Sequence, residues 1–290
     1  MPKITLNVNE IKSALASQLA RIPYFDSATL NVASNALAPG GFYAPQYTLG
    51  STFTFIGGGN AAFAGSTFQY VKVDPRSAAL AAGNNLMWAA PIAGTVTATG
   101  STTSAIKTNI DTSTITGGCN NCILSVFDAA KSIITMRRII STTNGALTAQ
   151  IGTNTIFTIA QAPDSLIGNQ TAPLDAFSAV PTNGAACQLI FPNWVSVYDH
   201  TVLTNRSAGL ALGTVTAGNF TLIQKKGYAQ ALMVGGGTAI VSNGPLAPSG
   251  VTDGILIGAA ALGSTSPGVS MMASTTTVQL MPMLLDNTSE

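Results

Sequence analysis

Residues suited to chemistry are sparse in this 290-residue chain: three cysteines, one histidine and eleven acids. Cys119 and Cys122 stand in GGCNNC, the C-x-x-C spacing used by redox and metal centres. A redox pair of that kind opens a helix after a strand and keeps a thiolate-stabilising charge nearby. Here Thr-Gly-Gly precedes the motif and Ile-Leu-Ser-Val follows it, a turn running into a strand. Free thiols in a turn or core are therefore the expectation. Cys119, Cys122, Cys187 and His200 add up to a four-ligand zinc set, although a lone C-x-x-C is a weak signal. Three cysteines cannot complete a disulfide framework. His200 lies beside Asp199 in SVYDHTVL. Read as a strand, that pair points to opposite faces, so Asp199 cannot orient His200 as a general base. No G-x-S-x-G elbow is present, and ALGSTSPG and GPLAPSG lack the strand-to-helix context. Asp26, Asp74, Asp111, Asp128, Asp164, Asp175, Asp199, Asp253 and Asp286 are scattered. A glycosidase needs two carboxylates facing one sugar, whereas most of these sit at turns such as VDP, APD and TDG, where Asp stabilises the turn itself. Gly57-Gly58-Gly59 and Gly235-Gly236-Gly237 lack the flanking residues of a phosphate loop and read as connections between strands. The sequence thus assigns no catalytic, cofactor-binding or metal residue, and predicts a protein that is not an enzyme.

Composition points the same way. Charged residues make up 8% of the chain, against roughly 25% in an average soluble domain. Twelve basic and eleven acidic residues leave a net charge of +1. A surface of Thr, Ser, Asn, Gln, Gly and Ala with so little charge has weak electrostatic protection against association. That favours a protein covered by partners. It also argues against nucleic acid, whose phosphates need clustered Lys and Arg. The only basic pairs, Arg137-Arg138 and Lys225-Lys226, read as solvated edges. Mean hydropathy is +0.36, yet no run approaches the ~18 apolar residues of a spanning helix, so no membrane partner is expected. The first residues lack a signal-peptide pattern, and synthesis in the cytoplasm is the expectation.

The elements that must position any site are mostly strands. One helix is predicted at the N-terminus. Asn9 is its N-cap, Glu10 sits in the first turn, and Ile11, Leu15, Leu19 and Ile22 form one apolar stripe that Pro23 ends. It either covers one end of the domain or clasps a neighbouring subunit. From Ser51 onward short β-prone runs recur between Gly, Asn, Asp and Pro, at about 8–12 residue spacing, which predicts an all-β sandwich or barrel. SVFDAAKSIITMRRI admits either a second helix or a strand. Shifts in composition divide the chain into a helix and arm (1–41), a β-barrel or sandwich domain (42–97 plus 193–290) and an inserted β-rich module (98–192). The closing TVQLMPMLL is apolar on both alternating faces, Val278, Leu280 and Leu284 against Met281, Met283 and Leu285. That requires a second layer or a partner subunit.

The stretch FQYVKVDPRSAALAAGNNLMW spends Lys72, Asp74 and Arg76 inside an apolar context. Alternation puts Phe68, Tyr70 and Lys72 on one face and Val71 and Val73 on the other, and the three charges are expected to keep one edge soluble. This stretch, together with AGLALGTVTAGNFTLIQKKGYAQALMVGGGTAIVSNGPLAPSGVTDG and the final VQLMPMLL, resembles the β-domain of capsid decoration (cement) proteins of tailed bacteriophages. The likeness covers about residues 42–97 and 194–285, and its motifs are stylistic rather than catalytic. It implies a virion protein on the capsid exterior that binds the major capsid protein, bridges its subunits and assembles as a homotrimer. The middle segment departs from the shorter members. Competing expectations are a head fibre, tail or other minor virion protein, a major capsid protein, and a carbohydrate-binding adhesion module stacking sugars on Trp88, Trp194, Tyr198 or Tyr228.

Overall fold

A computed structural model describes residues 49–54, 65–115, 119, 122–131, 133–139, 155–159, 177, 179–235, 239–261, 266–273 and 276–286. The predicted N-terminal helix, the arm, Gly57-Gly58-Gly59, Asp26, Asp164 and Asp175 lie outside these residues. Among the described residues there is no α-helix. The fold is all-β, as the turn-bounded runs predict.

A closed five-stranded barrel forms its centre. It is built from β2 (Thr67–Val73), β3 (Asn85–Trp88), β10 (Trp194–Val197), β11 (Ser207–Ala211) and β12 (Phe220–Met233). The ring runs β2-β10-β3-β11-β12 and closes where the first half of β12 pairs antiparallel with β2, from Phe220↔Lys72 to Lys226↔Thr67. β10 lies parallel to β2, with Trp194 beside Lys72. Val71, Val73, Leu86, Val195, Ala208, Ala211 and Ile223 fill the interior with Leu80 and Val215. Small side chains on β11 suit the narrow ring. A bulge in β11 falls at Gly209, at φ 145°, where a Cβ would lie 2.6 Å from the Gln224 carbonyl oxygen. β1 (Thr52–Thr54) extends the sheet beyond β2.

The second half of β12 leaves the ring and carries its own layer. It pairs with β16 (Gln279–Asp286), from Lys226↔Asp286 to Met233↔Gln279. β13 (Leu246–Pro248), β14 (Leu256–Gly258) and β15 (Gly268–Ser270) complete this part. Met233, Leu246, Leu256, Met281, Met283 and Leu285 are buried together here.

The middle segment forms separate sheets. β4 (Ile92–Thr95), β9 (Ala186–Ile190), β6 (Ile123–Asp128) and β7 (Ile133–Arg138) pair in that order, beside a β5 (Ala105–Thr108)–β8 (Thr155–Thr158) ladder. β4 pairs with β9, so residues 92–95, grouped by style with the first β segment, hydrogen-bond to the insertion. SVFDAAKSIITMRRI is strand, one 3-10 turn at Ala129–Lys131, and strand. Its β-branched Ile133-Ile134-Thr135 run suits the ladder with β6. Leu124, Val126, Phe157, Cys187 and Leu189 share one core with Phe191 and Trp194 at the barrel's edge.

Candidate functional site

The face of β2 opposite the barrel interior meets the inserted module, and the chain's scarce charges gather there. Pairing places Lys72 between Trp194 on β10 and Phe220 on β12. Its ammonium lies 4.1 Å from the Trp194 ring centroid and 5.8 Å from that of Phe220. Lys72 is only 7% exposed. Asp74, just past β2, is buried and accepts the Arg76 backbone N–H at 2.9 Å. It also takes the guanidinium from two sides, with Nη2 at 2.6 Å from Oδ2 and Nε at 3.0 Å from Oδ1. Arg76 stacks 4.5 Å from the Phe191 ring centroid and donates to the Ala90 carbonyl at 3.0 Å. Phe191 in turn packs against Trp194, centroids 4.9 Å apart. Lys72 and Asp74 are therefore not a soluble edge, as the sequence suggested. The insertion covers this face of β2 and converts surface charges into a buried cluster.

Cys119 and Cys122 complete the junction. The Cys122 N–H donates to the Cys119 carbonyl at 3.0 Å, and the Ile139 N–H donates to the Cys122 carbonyl at 2.8 Å. Both thiols are buried. The Cys122 side chain holds the Cys119 thiol below its ordinary range, and Lys72 and Arg76 add to the effect against the opposing cost of burial. The Cys119 side chain and burial push the Cys122 thiol up. Burial pulls the Lys72 ammonium down, while both cysteines and Asp74 resist that shift. The two shifts run in opposite directions, so Cys119 is the readier of the pair to ionise. The sequence missed this because the thiolate-stabilising charge comes from β2, not from the flanks of the motif. The only available signal was three charges, Lys72, Asp74 and Arg76, placed in an apolar context.

The other candidates separate. Cys187 lies on β9 opposite Gly94 and Val126, and burial pushes its thiol up to about 11. His200 sits elsewhere, so the arithmetical zinc set does not assemble. Asp199 and His200 are in a turn after β10, not on a strand. His200 pairs through Nδ1 with Asp253, 2.6 Å away, a partner 53 residues on. Asp199, His200 and Asp253 place their ligand atoms within 4.8 Å of one another on a partly exposed loop surface. Asp111, Asp128 and Asp199 each accept a backbone N–H two residues on, a turn role that the strand reading of SVYDHTVL did not give Asp199. Of the aromatic candidates for sugar stacking, Trp194 and Tyr198 are buried, and Trp88 is half-buried with Lys225 at 5.0 Å from its ring centroid.

A second feature is a surface. Met281, Met283 and Leu285 of β16 point into the core, leaving Leu280 and Leu284 outward, 49% and 41% exposed. Leu284 is paired with Tyr228, itself 55% exposed, and Val278 continues the strip. No protein family, curated protein or solved structure matches the chain.

Proposed function

We propose that the chain is a structural virion protein, a head decoration (cement) protein that binds the outer capsid surface and bridges neighbouring capsid subunits. The observation that carries the reading is the open apolar strip of Tyr228, Val278, Leu280 and Leu284 on a chain with only 8% charged residues. A contiguous apolar strip left in water marks contact with another protein. The strands that resemble decoration proteins support the kind of partner, since β2, β12 and β16 build the barrel wall and the strip itself. On this reading the partners are the major capsid protein and further copies of the chain in a trimer. The role is mechanical and needs neither a catalytic step nor a nucleic acid or membrane.

The test is the copy number of the chain in purified virions, by gel densitometry against the major capsid protein. One copy per capsid subunit, or a fixed simple fraction, is expected. A handful of copies per particle points instead to a head fibre or tail component, and absence from the particle removes the reading. Leu280→Asp with Leu284→Asp should fold, by near-UV circular dichroism, yet fail to join the particle. Undiminished incorporation would remove the strip from the interface.

A further inference from the structure

We propose that Cys119 and Cys122 form a dithiol–disulfide pair, in which Cys119 attacks a low-molecular-weight disulfide and Cys122 resolves the adduct. Geometry supplies the first argument. The Cys122 N–H bond to the Cys119 carbonyl, 3.0 Å, closes a four-residue turn. Such a turn holds its end Cα atoms within about 7 Å, and a disulfide spans roughly 4.4–6.8 Å. Both side chains are buried in the same cluster, on the side of the barrel where Trp194 packs.

Lys72 supplies the second argument. Lys72 as a residue is 7% exposed, and its ammonium lies over the Trp194 ring, 4.1 Å from the centroid. A buried cation needs an anion close by. The Asp74 carboxylate is engaged by the Arg76 guanidinium. The two cysteines act on Lys72 more strongly than Asp74 does. A Cys119 thiolate answers that demand, and a thiolate is the attacking species in disulfide exchange.

The exchange balances without an electron carrier. Cys119 as thiolate attacks one sulfur of RSSR, giving a protein–SR mixed disulfide and releasing RS⁻. Cys122 then loses its proton and attacks the Cys119 sulfur, expelling the second RS⁻. The net change is two thiols plus RSSR to one protein disulfide plus two RSH. The buried turn must open locally for the first attack, so the reaction is slow. Closing the bond consumes the anion beside Lys72. Lys72 therefore favours the reduced form and makes the disulfide easier to reduce than a structural one. The chemistry stands independently of the virion reading.

Both cysteines fall in one tryptic peptide, Thr108–Lys131. The full chain is equilibrated across a ladder of reduced-to-oxidised glutathione ratios, acid-quenched, alkylated and digested. The expected result is that this peptide loses two hydrogens across the ladder while Cys187 stays a thiol. In Cys122→Ser, glutathione should be trapped on Cys119. In Lys72→Met, disulfide formation should be severalfold slower and its midpoint displaced towards more reducing ratios. The proposal is overturned if all three cysteines remain thiols at the most oxidising ratio, or if the Cys122→Ser adduct forms on Cys187 instead. A Lys72→Met ladder superimposable on the wild-type ladder overturns it too. Should Lys72→Met fail to fold, the Cys122→Ser adduct decides.

Discussion

Asp74→Asn tests the buried charge cluster most directly. The carboxylate accepts four hydrogen-bond contacts from Arg76, one from the backbone and three from the guanidinium. Asparagine keeps an oxygen for the backbone N–H. Its amide then points a second donor at the Arg76 Nη2, which sits 2.6 Å from the wild-type Oδ2. Arg76 loses its counter-charge, and Lys72 loses one of the few anionic groups around it. Removing one partner of a fully buried pair costs about 3–5 kcal/mol. The Arg76 side chain is 25% exposed, so water reaches part of the stranded charge. The expected cost is therefore lower, about 2–3 kcal/mol, the range for a charge-assisted bond lost in a buried setting. At about 2–4 °C per kcal/mol for a large domain, the melting temperature should fall by roughly 4–12 °C. Urea unfolding at neutral pH, followed by tryptophan fluorescence, reads the change through Trp194 in the same cluster. The double variant Asp74→Asn with Arg76→Met should recover part of the loss, with a coupling of about 1–2 kcal/mol. Raising salt should change the result little, because buried pairs are poorly screened. An Asp74→Asn protein within about 0.5 kcal/mol of wild type would refute the reasoning, since that is the scale of an ordinary surface change. Strict additivity in the double variant would do the same.

Two further outcomes follow from the fold. Gly209→Ala places a Cβ 2.6 Å from the Gln224 carbonyl oxygen at φ 145°, and should cost about 1–3 kcal/mol in urea unfolding, the scale of a strained backbone position. Acid should destabilise the protein through its turn aspartates. The Thr182 N–H, then other hydrogen bonds, hold Asp128 below the ordinary value of 3.8 in the folded chain. Asp111 and Asp199 are lowered likewise by bonds from Ser113 and Thr201. A folded value beneath the unfolded one means that the stabilisation is present above 3.8 and is lost as pH falls through the lowered values. Urea midpoints measured from about pH 5 to pH 2 should fall in the wild type and fall less steeply in Asp128→Asn; parallel curves would assign the acid limb to other groups.

Local patterns in the sequence determined the class of this protein. Period-two runs between Gly, Asn, Asp and Pro signals specify strands and turns from neighbouring residues alone, and the described residues are all-β. The Asp74 turn in VDP and the two-faced VQLMPMLL strand were legible for the same reason: each depends on residues two to four apart. The ambiguous SVFDAAKSIITMRRI segment needed its ladder with β6 to become a strand. No turn signal but Gly227 lies inside FTLIQKKGYAQALM, and Gly227, at φ 101° near a register shift, lets it run as one 14-residue strand serving both the barrel and the outer layer. Only the tertiary structure decided what lies beside what. Lys72 meets Trp194 and Phe220 because ladder register places them there, over separations of more than a hundred residues. The same register and the inserted sheets bring the Cys119–Cys122 turn to Lys72, and loop packing brings Asp253 to His200. No local propensity encodes such meetings. Whether a charge is solvated or buried is set by the layer that covers its face, and here that layer comes from the insertion.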